Sequence, residues 1–306
     1  LGERVISDLL TKSNLAADEI NLLMSTTVTG VSVPSLEARL MNRIPFSRYL
    51  KRVPLFGLGC LAGTAGIARG ADYLKGHPDE AAILLSVELC SLTLQADDVS
   101  IANIISSGLF GDGAAAVLMV GENHPLIKND KKKRTNNADI HQFSSSKKTT
   151  KKHVEFSQPK IVKSLSIFFP DSEDVMGWDV TDRGLKIILG PGVPSYASKL
   201  RPHLDSFLSE LGLSLADISV WLTHPGGPKV IDTIESSLDL PPKTLDNTRK
   251  HLCRTGNLSS SSVLVLLDEC LKELTADKVG HNGDDKYGMM LSMGPGFSAE
   301  LVLLKW

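Results

Sequence analysis

The sequence has 306 residues, of which 42% are hydrophobic and 22% charged, and its formal net charge is −2. These values are typical of a globular protein with a sizeable core, and the near-neutral charge gives no global electrostatic reason to expect a nucleic-acid partner. No apolar run is long enough to predict stable membrane insertion, and the charged start of the chain does not resemble a signal peptide, so we expect a cytoplasmic protein.

The first 120 residues alternate between helical and strand patterns. An amphipathic helix is predicted at the start, a strand in INLLMST, and a short helix in SLEARLMNRI. A helix predicted over residues 61–74 is rich in glycine and alanine, which favours close approach of another backbone and burial. The segments EAAILLSVEL and GDGAAAVLMV predict two further strands, so the alternation indicates a layered α/β fold.

A basic, aliphatic-poor segment at residues 124–158 interrupts this pattern. Its Lys, Asn, Ser and Thr content predicts a surface insertion that divides the chain into residues 1–123 and 159–306, although a targeting or anion-binding role for its KKKR cluster stays open. After it, strands are predicted in KIVKSLSIFF and DISVWLT, single helices in PSYASKLRPHLDSFLSELGL and in the segment after THPGG, and another helix after GNLSSSS. Both halves end in a Gly-rich turn and an apolar strand, which is a weak internal repeat.

Cys60 is the first candidate for chemistry, because GLGCLAG places it where an apolar segment turns into a helix. Unpaired N–H groups at a helix N-terminus stabilise a thiolate, so Cys60 is either a nucleophile or a buried core thiol. The four cysteines form no CxxC pair, which predicts neither a metal site nor a redox dithiol.

Two polar residues are candidate partners of Cys60. His224 follows a predicted strand in WLTHPGG, where a catalytic role and a simple turn hydrogen bond are both open. Asn257, in TGNLSS, reads alone as a helix cap. Together the three residues form a nucleophile with two polar partners, a set that papain-like proteases also use, although GLGCLAG does not match their sequence around cysteine.

Six motifs in order resemble those of the type III polyketide synthases, the chalcone synthase-like branch of the thiolase superfamily. They are GLGCLAGTAGIARGADYL, SVELCSLT, SGLFGDGAAAV, THPGGPKVID, TGNLSSSSVLVLLDE and MGPGF. The resemblance implies an α/β fold, a thiolase-like αβαβα layered sandwich of two similar halves, usually as a homodimer. It also implies that full-length members have more chain before this segment, so we expect a first half that is truncated at its N-terminus.

The resemblance assigns a role to each catalytic candidate. Cys60 would accept an acyl group from acyl-CoA, and His224 and Asn257 would support decarboxylation of malonyl-CoA, with His224 also stabilising the thiolate. No cofactor beyond these two substrates is implied. Several blocks resemble bacterial alkylpyrone and alkylresorcinol synthases most, which favours a fatty acyl starter and an alkylpyrone or resorcinol product.

The resemblance also suggests residues that contact substrate. Phe110 and Ile187 would lie at the junction of the CoA tunnel and the cavity, and Val33 would reach the cavity of the partner subunit. The remaining positions suggested for the cavity wall or its backbone are Thr29, Cys90, Thr93, Trp178, Ser259, Gly294, Pro295 and Gly296.

Two alternatives to this function remain at this point. A ketoacyl-carrier-protein synthase III uses a similar trio but depends on a carrier protein and condenses once. A truncated, noncatalytic homologue would instead pair with a complete subunit.

Overall fold

A computed structural model of the chain describes residues 1–127, 158–182, 184–190, 192–276 and 286–306. Residues 128–157, which make up most of the predicted basic insertion, lie outside the described residues. The bounds predicted for the two halves, at residues 123 and 159, stay a prediction.

The first sheet has the strand order β2–β1–β3–β4. Strand β1 is parallel to β2 and β3, whereas β4 is antiparallel to β3. The elements of this half are α1 (Gly2–Ser13), β1 (Leu22–Thr26), α2 (Leu36–Leu40), β2 (Lys51–Leu55), α3 (Ala62–Gly76), β3 (Ala81–Leu89), α4 (Ile101–Leu109) and β4 (Asp112–Val120).

The second sheet has the order β5–β10–β9–β8, and strands β6 and β7 form a separate two-stranded ribbon. Strand β8 is parallel to β9, and β10 is antiparallel to both of its neighbours. The elements are β5 (Lys160–Phe168), β6 (Met176–Thr181), β7 (Gly184–Leu189), α5 (Val193–Ala197), α6 (Leu200–Ser209), β8 (Ile218–Thr223), α7 (Pro228–Ser237), α8 (Asp246–Thr255), α9 (Ser262–Ala276), β9 (Tyr287–Gly294) and β10 (Ser298–Lys305).

Helices α3 and α9 lie between the two sheets, and apolar clusters fill the space on both faces of each sheet. Successive strand residues point to opposite faces, so Ile83 of β3 packs beneath α1 while Leu84 packs into the central layer. The order β1, β3, β4 in the first half matches β8, β9, β10 in the second, a parallel pair followed by an antiparallel strand. The predicted αβαβα sandwich of two similar halves is confirmed.

The small residues of α3 allow the two central helices to meet closely. A Cβ atom on Gly63 would lie 2.3 Å from the carbonyl oxygen of Ser260, just before α9 begins. No side chain fits at that distance, so glycine is required there. The burial and close approach predicted for this helix are confirmed.

One predicted helix is two helices in the structure. Helix α5 ends at Ala197, and α6 begins at Leu200. In a continuous helix the ring of Pro202 would clash with the carbonyl group of Ser198, four residues earlier, so the chain turns between the two. The prediction of a single helix in this segment was wrong for this reason.

Candidate active site

Three turns from both halves of the chain converge on one cavity of about 550 Å³. Cys60 lies in a 3₁₀ turn, Gly59–Leu61, that leads into α3, His224 directly follows β8, and Asn257 lies between α8 and the turn before α9. All three side chains line the cavity. The structure therefore brings together the three residues that the sequence suggested for chemistry.

The thiol of Cys60 is buried, and its sulfur lies 3.6 Å from the hydroxyl oxygen of Ser259. Burial raises the pKa of Cys60 to about 12, and hydrogen bonding to Ser259 opposes this effect only in part. The negative charge of Glu88 raises the same pKa further. Burial therefore opposes the thiolate that the sequence suggested at a helix N-terminus.

His224 is held by its backbone, while its ring is left open to the cavity. Its N–H donates to the carbonyl oxygen of Leu291 at 2.8 Å, and its own carbonyl oxygen accepts from Gly226 at 2.9 Å. Neither ring nitrogen has a hydrogen-bond partner among the residues that the structure describes. Burial, followed by repulsion from His251, lowers the pKa of His224 to about 3, so the imidazole is neutral.

Asn257 is joined to the segment that carries Phe110. The backbone N–H of Asn257 donates to the carbonyl oxygen of Leu109 at 2.8 Å, and its carbonyl oxygen accepts from Gly111 at 3.0 Å. Its side-chain oxygen accepts from the N–H of Ser259 at 2.8 Å, two residues along the chain. The helix cap predicted from the sequence was wrong, because Leu258 occupies the cap position of the 3₁₀ turn Ser259–Ser261. The amide nitrogen is a separate donor, so the bond to Ser259 leaves it available for chemistry.

Apolar side chains form most of the remaining wall. The ring centroids of Phe110 and Trp178 lie 6.3 Å apart. Trp178 is paired in register with Ile187 across the β6–β7 ribbon. Pro295 also lines the cavity, and its ring would clash with any Cβ atom on Gly59, beside Cys60. The cavity thus combines a polar reacting centre with a long apolar surface.

Comparison with known proteins identifies this arrangement. The model for the C-terminal domain of chalcone and stilbene synthases matches residues 160–306, and that for FAE1/type III polyketide synthase-like proteins matches residues 3–160. The chain belongs to the type III polyketide synthase family. Polyketide synthases are acyltransferases, so this chain is an enzyme of that class.

Two relatives of this polyketide synthase illustrate the similarity. A 1,3,6,8-tetrahydroxynaphthalene synthase of Streptomyces peucetius subsp. caesius is 40% identical over 307 residues, which cover 100% of this chain and 72% of the relative. A putative chalcone synthase of Bacillus subtilis (strain 168) is 39% identical over 290 residues, which cover 94% of this chain and 71% of the relative.

Solved structures of the family share the fold. The 1,3,6,8-tetrahydroxynaphthalene synthase of Streptomyces coelicolor superposes with a TM-score of 0.81 at 27% identity, over 99% of this chain and 76% of that one. A polyketide synthase of the brown alga Ectocarpus siliculosus gives a TM-score of 0.83 at 24% identity, over 99% and 73% of the two chains. The second likeness concerns the fold alone.

Several residues suggested for the polyketide synthase cavity do not line it in the structure. Cys90 is buried, and burial, followed by the charges of Glu88 and Cys60, raises the pKa of its thiol. The hydroxyl of Thr93 donates to the Cys90 carbonyl oxygen at 2.8 Å. Val33 is 95% exposed, on the outside of the chain. Four further residues lie outside the lining. Thr29 donates to Glu88, and Ser259 contacts Cys60. Gly294 ends strand β9, and Gly296 lies in the turn that follows it.

Sequence reasoning missed Glu88, a fully buried carboxylate beside this site. It accepts hydrogen bonds from the N–H of Val28 at 3.0 Å, from the hydroxyl of Thr29 at 2.9 Å, and from the hydroxyl of Ser260. The signal was a single charge inside the apolar strand AAILLSVEL. A carboxylate buried there had to find donors, which links the loop after β1 to the turn before α9.

Sequence reasoning also missed α4 and Thr223, both of which contribute to the cavity wall. Among the described residues, no group of three or more His, Cys, Asp or Glu side chains is arranged to hold a metal ion. None of the described helices has the length and apolar composition needed to cross a bilayer.

Proposed function

We propose that this chain loads an acyl group from acyl-CoA onto Cys60, extends it repeatedly with malonyl-CoA, and cyclises the product to an alkylpyrone or alkylresorcinol. The observation that carries the proposal is the convergence of Cys60, His224 and Asn257 on one largely apolar cavity. The proposed steps use the two CoA thioesters as substrates and need no further cofactor.

Loading begins from a neutral thiol and a neutral imidazole, because burial suppresses both charges. As the Cys60 sulfur attacks the thioester carbonyl carbon, His224 accepts the thiol proton as a general base. The CoA sulfur leaves with the electron pair of the broken C–S bond and takes that proton. The acyl group remains on Cys60, and His224 returns to its neutral form.

Extension requires a carbon nucleophile that forms when malonyl-CoA loses carbon dioxide. The electron pair left behind is shared with the thioester oxygen as an enolate. An N–H of the His224 ring and the amide nitrogen of Asn257 supply donors for that oxygen, and Phe110 provides an apolar surface beside them. The enolate carbon then attacks the acyl carbon on Cys60, and the cysteine sulfur leaves with the electron pair of the broken C–S bond and takes up a proton. The lengthened chain is now a CoA thioester, and it returns to Cys60 by the loading step before the next extension.

The apolar wall favours a fatty acyl starter, because hydrocarbon gains free energy when it leaves water. A second product class is favoured by a different observation, since the Streptomyces relative at 40% identity is named for a tetrahydroxynaphthalene. That product has no alkyl chain. The two product classes can therefore be distinguished by mass. The mass of an alkylpyrone or alkylresorcinol increases with the length of the starter acyl chain, whereas that of the naphthalene product does not.

The deciding experiment incubates the protein with malonyl-CoA and a series of acyl-CoA starters, and identifies products by mass spectrometry. We expect ring products whose masses increase with the starter. A single mass that is independent of the starter would favour the naphthalene type. Carrier-protein dependence with one condensation would support a ketoacyl-carrier-protein synthase III instead.

Two cysteine variants make this assay specific. Cys60→Ala is expected to abolish all products, because no other thiol lines the cavity in the described structure. Cys253→Ala removes an exposed thiol and is the matched control, for which we expect wild-type products. Products from Cys60→Ala would contradict loading on this residue.

We also propose that the enzyme acts as a homodimer. Val33, Ile101 and Ile104 are exposed apolar side chains, and α4, which carries two of them, also contributes to the cavity wall. Apolar exposure of this kind favours a protein interface. Light scattering after size exclusion should give twice the mass of one chain, and Val33→Asp should reduce it. A single-chain mass for the wild type would contradict this.

A further inference from the structure

One buried hydroxyl in the cavity wall takes no part in the steps above. Thr223 is the last residue of β8, is only 1% exposed and lines the cavity. Its Oγ1 atom has no hydrogen-bond partner among the described residues. The backbone carbonyl of Thr223 is occupied, since it accepts from the hydroxyl of Thr248 at 3.3 Å.

The surroundings of this hydroxyl are apolar. Thr223 pairs in register with Leu291 of the parallel strand β9, so both side chains lie on the same face of the sheet. Leu291 belongs to the apolar cluster beneath the outer helices, together with Val230 and Met293, and these three side chains also line the cavity. None of them can accept or donate a conventional hydrogen bond through its side chain.

Other buried hydroxyl groups near the site are paired. Thr64 and Ser292 lie 2.7 Å apart, and the hydroxyl of Ser86 lies 2.8 Å from that of Ser260. An unpaired buried hydroxyl is unfavourable, and valine would fill almost the same space without that penalty. Thr223 is therefore distinguished by a polar group that only the contents of the cavity can satisfy.

We propose that the hydroxyl of Thr223 donates a hydrogen bond to a ketone oxygen of the acyl chain held in the cavity. This inference rests on the proposed function and adds to it a preference for chains that carry β-keto groups over hydrocarbon chains of equal length. A ketone oxygen can only accept, which matches a hydroxyl that donates to no described residue. Thr223 is a specificity-determining residue that positions the chain, and it takes no part in bond formation.

The test measures binding without turnover, in a Cys60→Ala background that cannot accept an acyl group. Calorimetry compares acetoacetyl-CoA with butyryl-CoA, and 3,5-dioxohexanoyl-CoA with hexanoyl-CoA, in the Thr223, Thr223→Val and Thr223→Ser forms. We expect at least one keto chain to bind about tenfold more tightly than its saturated partner when the hydroxyl is present. Thr223→Val should remove the preference for the keto chain without weakening the binding of the saturated chain. Thr223→Ser should keep the preference.

Thermal unfolding separates this role from a structural one. Thr223→Val should leave the melting temperature unchanged or higher, because it removes an unpaired polar group. Thr64→Val is the matched control and should lower it, because Ser292 would lose its partner. A similar decrease in melting temperature in both variants would overturn the proposal, since it would mean that the Thr223 hydroxyl is already hydrogen-bonded within the free protein.

The binding data also separate the two proposals. If keto and saturated chains bind but Thr223→Val does not change their ratio, the inference about Thr223 is wrong and the proposed substrate class stands. If no acyl-CoA binds to a folded protein, the proposed function fails and the inference fails with it.

Discussion

The sulfur of Cys60 and the hydroxyl oxygen of Ser259 lie 3.6 Å apart, although 199 residues separate them along the chain. The contact joins the turn before α3 to the turn before α9, the two helices of the central layer. Burial nevertheless determines the state of the thiol, because it raises the pKa of Cys60 to about 12 despite this hydrogen bond. Five measurements follow from this arrangement and from the packing around it.

Alkylation of Cys60 should report its protonation state. The thiolate is the reactive form, so with a pKa near 12 the rate constant should rise about tenfold per pH unit from about pH 7 to 10. Iodoacetamide labelling followed by peptide mass spectrometry measures this, with the exposed Cys253 as an internal reference. A plateau for Cys60 below about pH 8 would indicate a thiolate–imidazolium pair instead.

The buried neutral histidine should make the fold sensitive to acid. The pKa of His224 is about 3 in the folded protein and about 6.5 when unfolded, so the unfolded chain binds the extra proton. Stability should therefore fall as pH drops below about 6.5 and stop falling near the folded pKa, with a slope approaching 1.4 kcal/mol per pH unit.

The variant His224→Gln tests this contribution. Urea unfolding at about pH 7 and pH 5 should show a loss of stability that is about 2 kcal/mol smaller in the variant than in the wild type. Some sensitivity should remain, because burial also lowers the pKa of His251. Equal losses in both proteins would mean that His224 can be protonated in the folded state.

Replacement of Glu88 by glutamine should destabilise the protein. One carboxylate oxygen would become an NH₂ group that faces either the donors of Val28 and Thr29 or the hydroxyl of Ser260. We expect the free energy of unfolding to fall by about 1–3 kcal/mol in chemical denaturation. Glu122→Gln, at an exposed position, should change it little. An unchanged Glu88→Gln protein would mean that these donors have other acceptors.

The close contact between the central helices gives a paired prediction within α3. A methyl group at Gly63 would meet the Ser260 carbonyl oxygen at 2.3 Å, so Gly63→Ala should lower the unfolding free energy by about 1–3 kcal/mol or more. A methyl group at Gly76 would meet nothing within 4 Å, so Gly76→Ala should be neutral or stabilising. Two equal effects would rule out packing as the cause.

Trp178 should limit the length of chain that the cavity accepts. Trp178→Ala would remove an indole that contacts Phe110 and lines the cavity, so we expect products of higher mass from the same starter. Mass spectrometry of the product mixture measures the shift. Phe168→Ala removes an exposed aromatic ring outside the cavity and should give the wild-type mixture.

The three catalytic candidates could be found from sequence because each stands beside glycine or proline at the end of a predicted element. A layered α/β core was also predictable, since mostly apolar strands such as β3 must be covered on both faces, whereas the αβαβα order came from the family resemblance. The effect of burial on the pKa of Cys60 was not predictable. A helix start favours a thiolate, but the depth of burial that opposes it depends on Pro295 and Ser259, which are more than 190 residues away in sequence.

Glu88 and Thr223 could not be recognised for a related reason. The hydrogen-bond partners of Glu88 lie 60 and 172 residues away, so no local pattern reports them. Thr223 reads as an ordinary strand residue, and its significance is that no described residue bonds its hydroxyl. Helix α8 was missed because its sequence DNTRKHLCRT is mostly polar and charged. The β6–β7 ribbon was missed because its strands are short and partly exposed.

The β6–β7 ribbon has an evolutionary consequence. It carries Met176, Trp178 and Ile187 into the cavity, yet among the described residues its strands pair with each other and with no strand of either main sheet. Mutations in the ribbon can therefore change which molecules fit without disturbing the strands that hold His224 or the helix that follows Cys60. A descendant of this enzyme could therefore make a new product through substitutions confined to the ribbon, while the residues of the reaction centre remain unchanged.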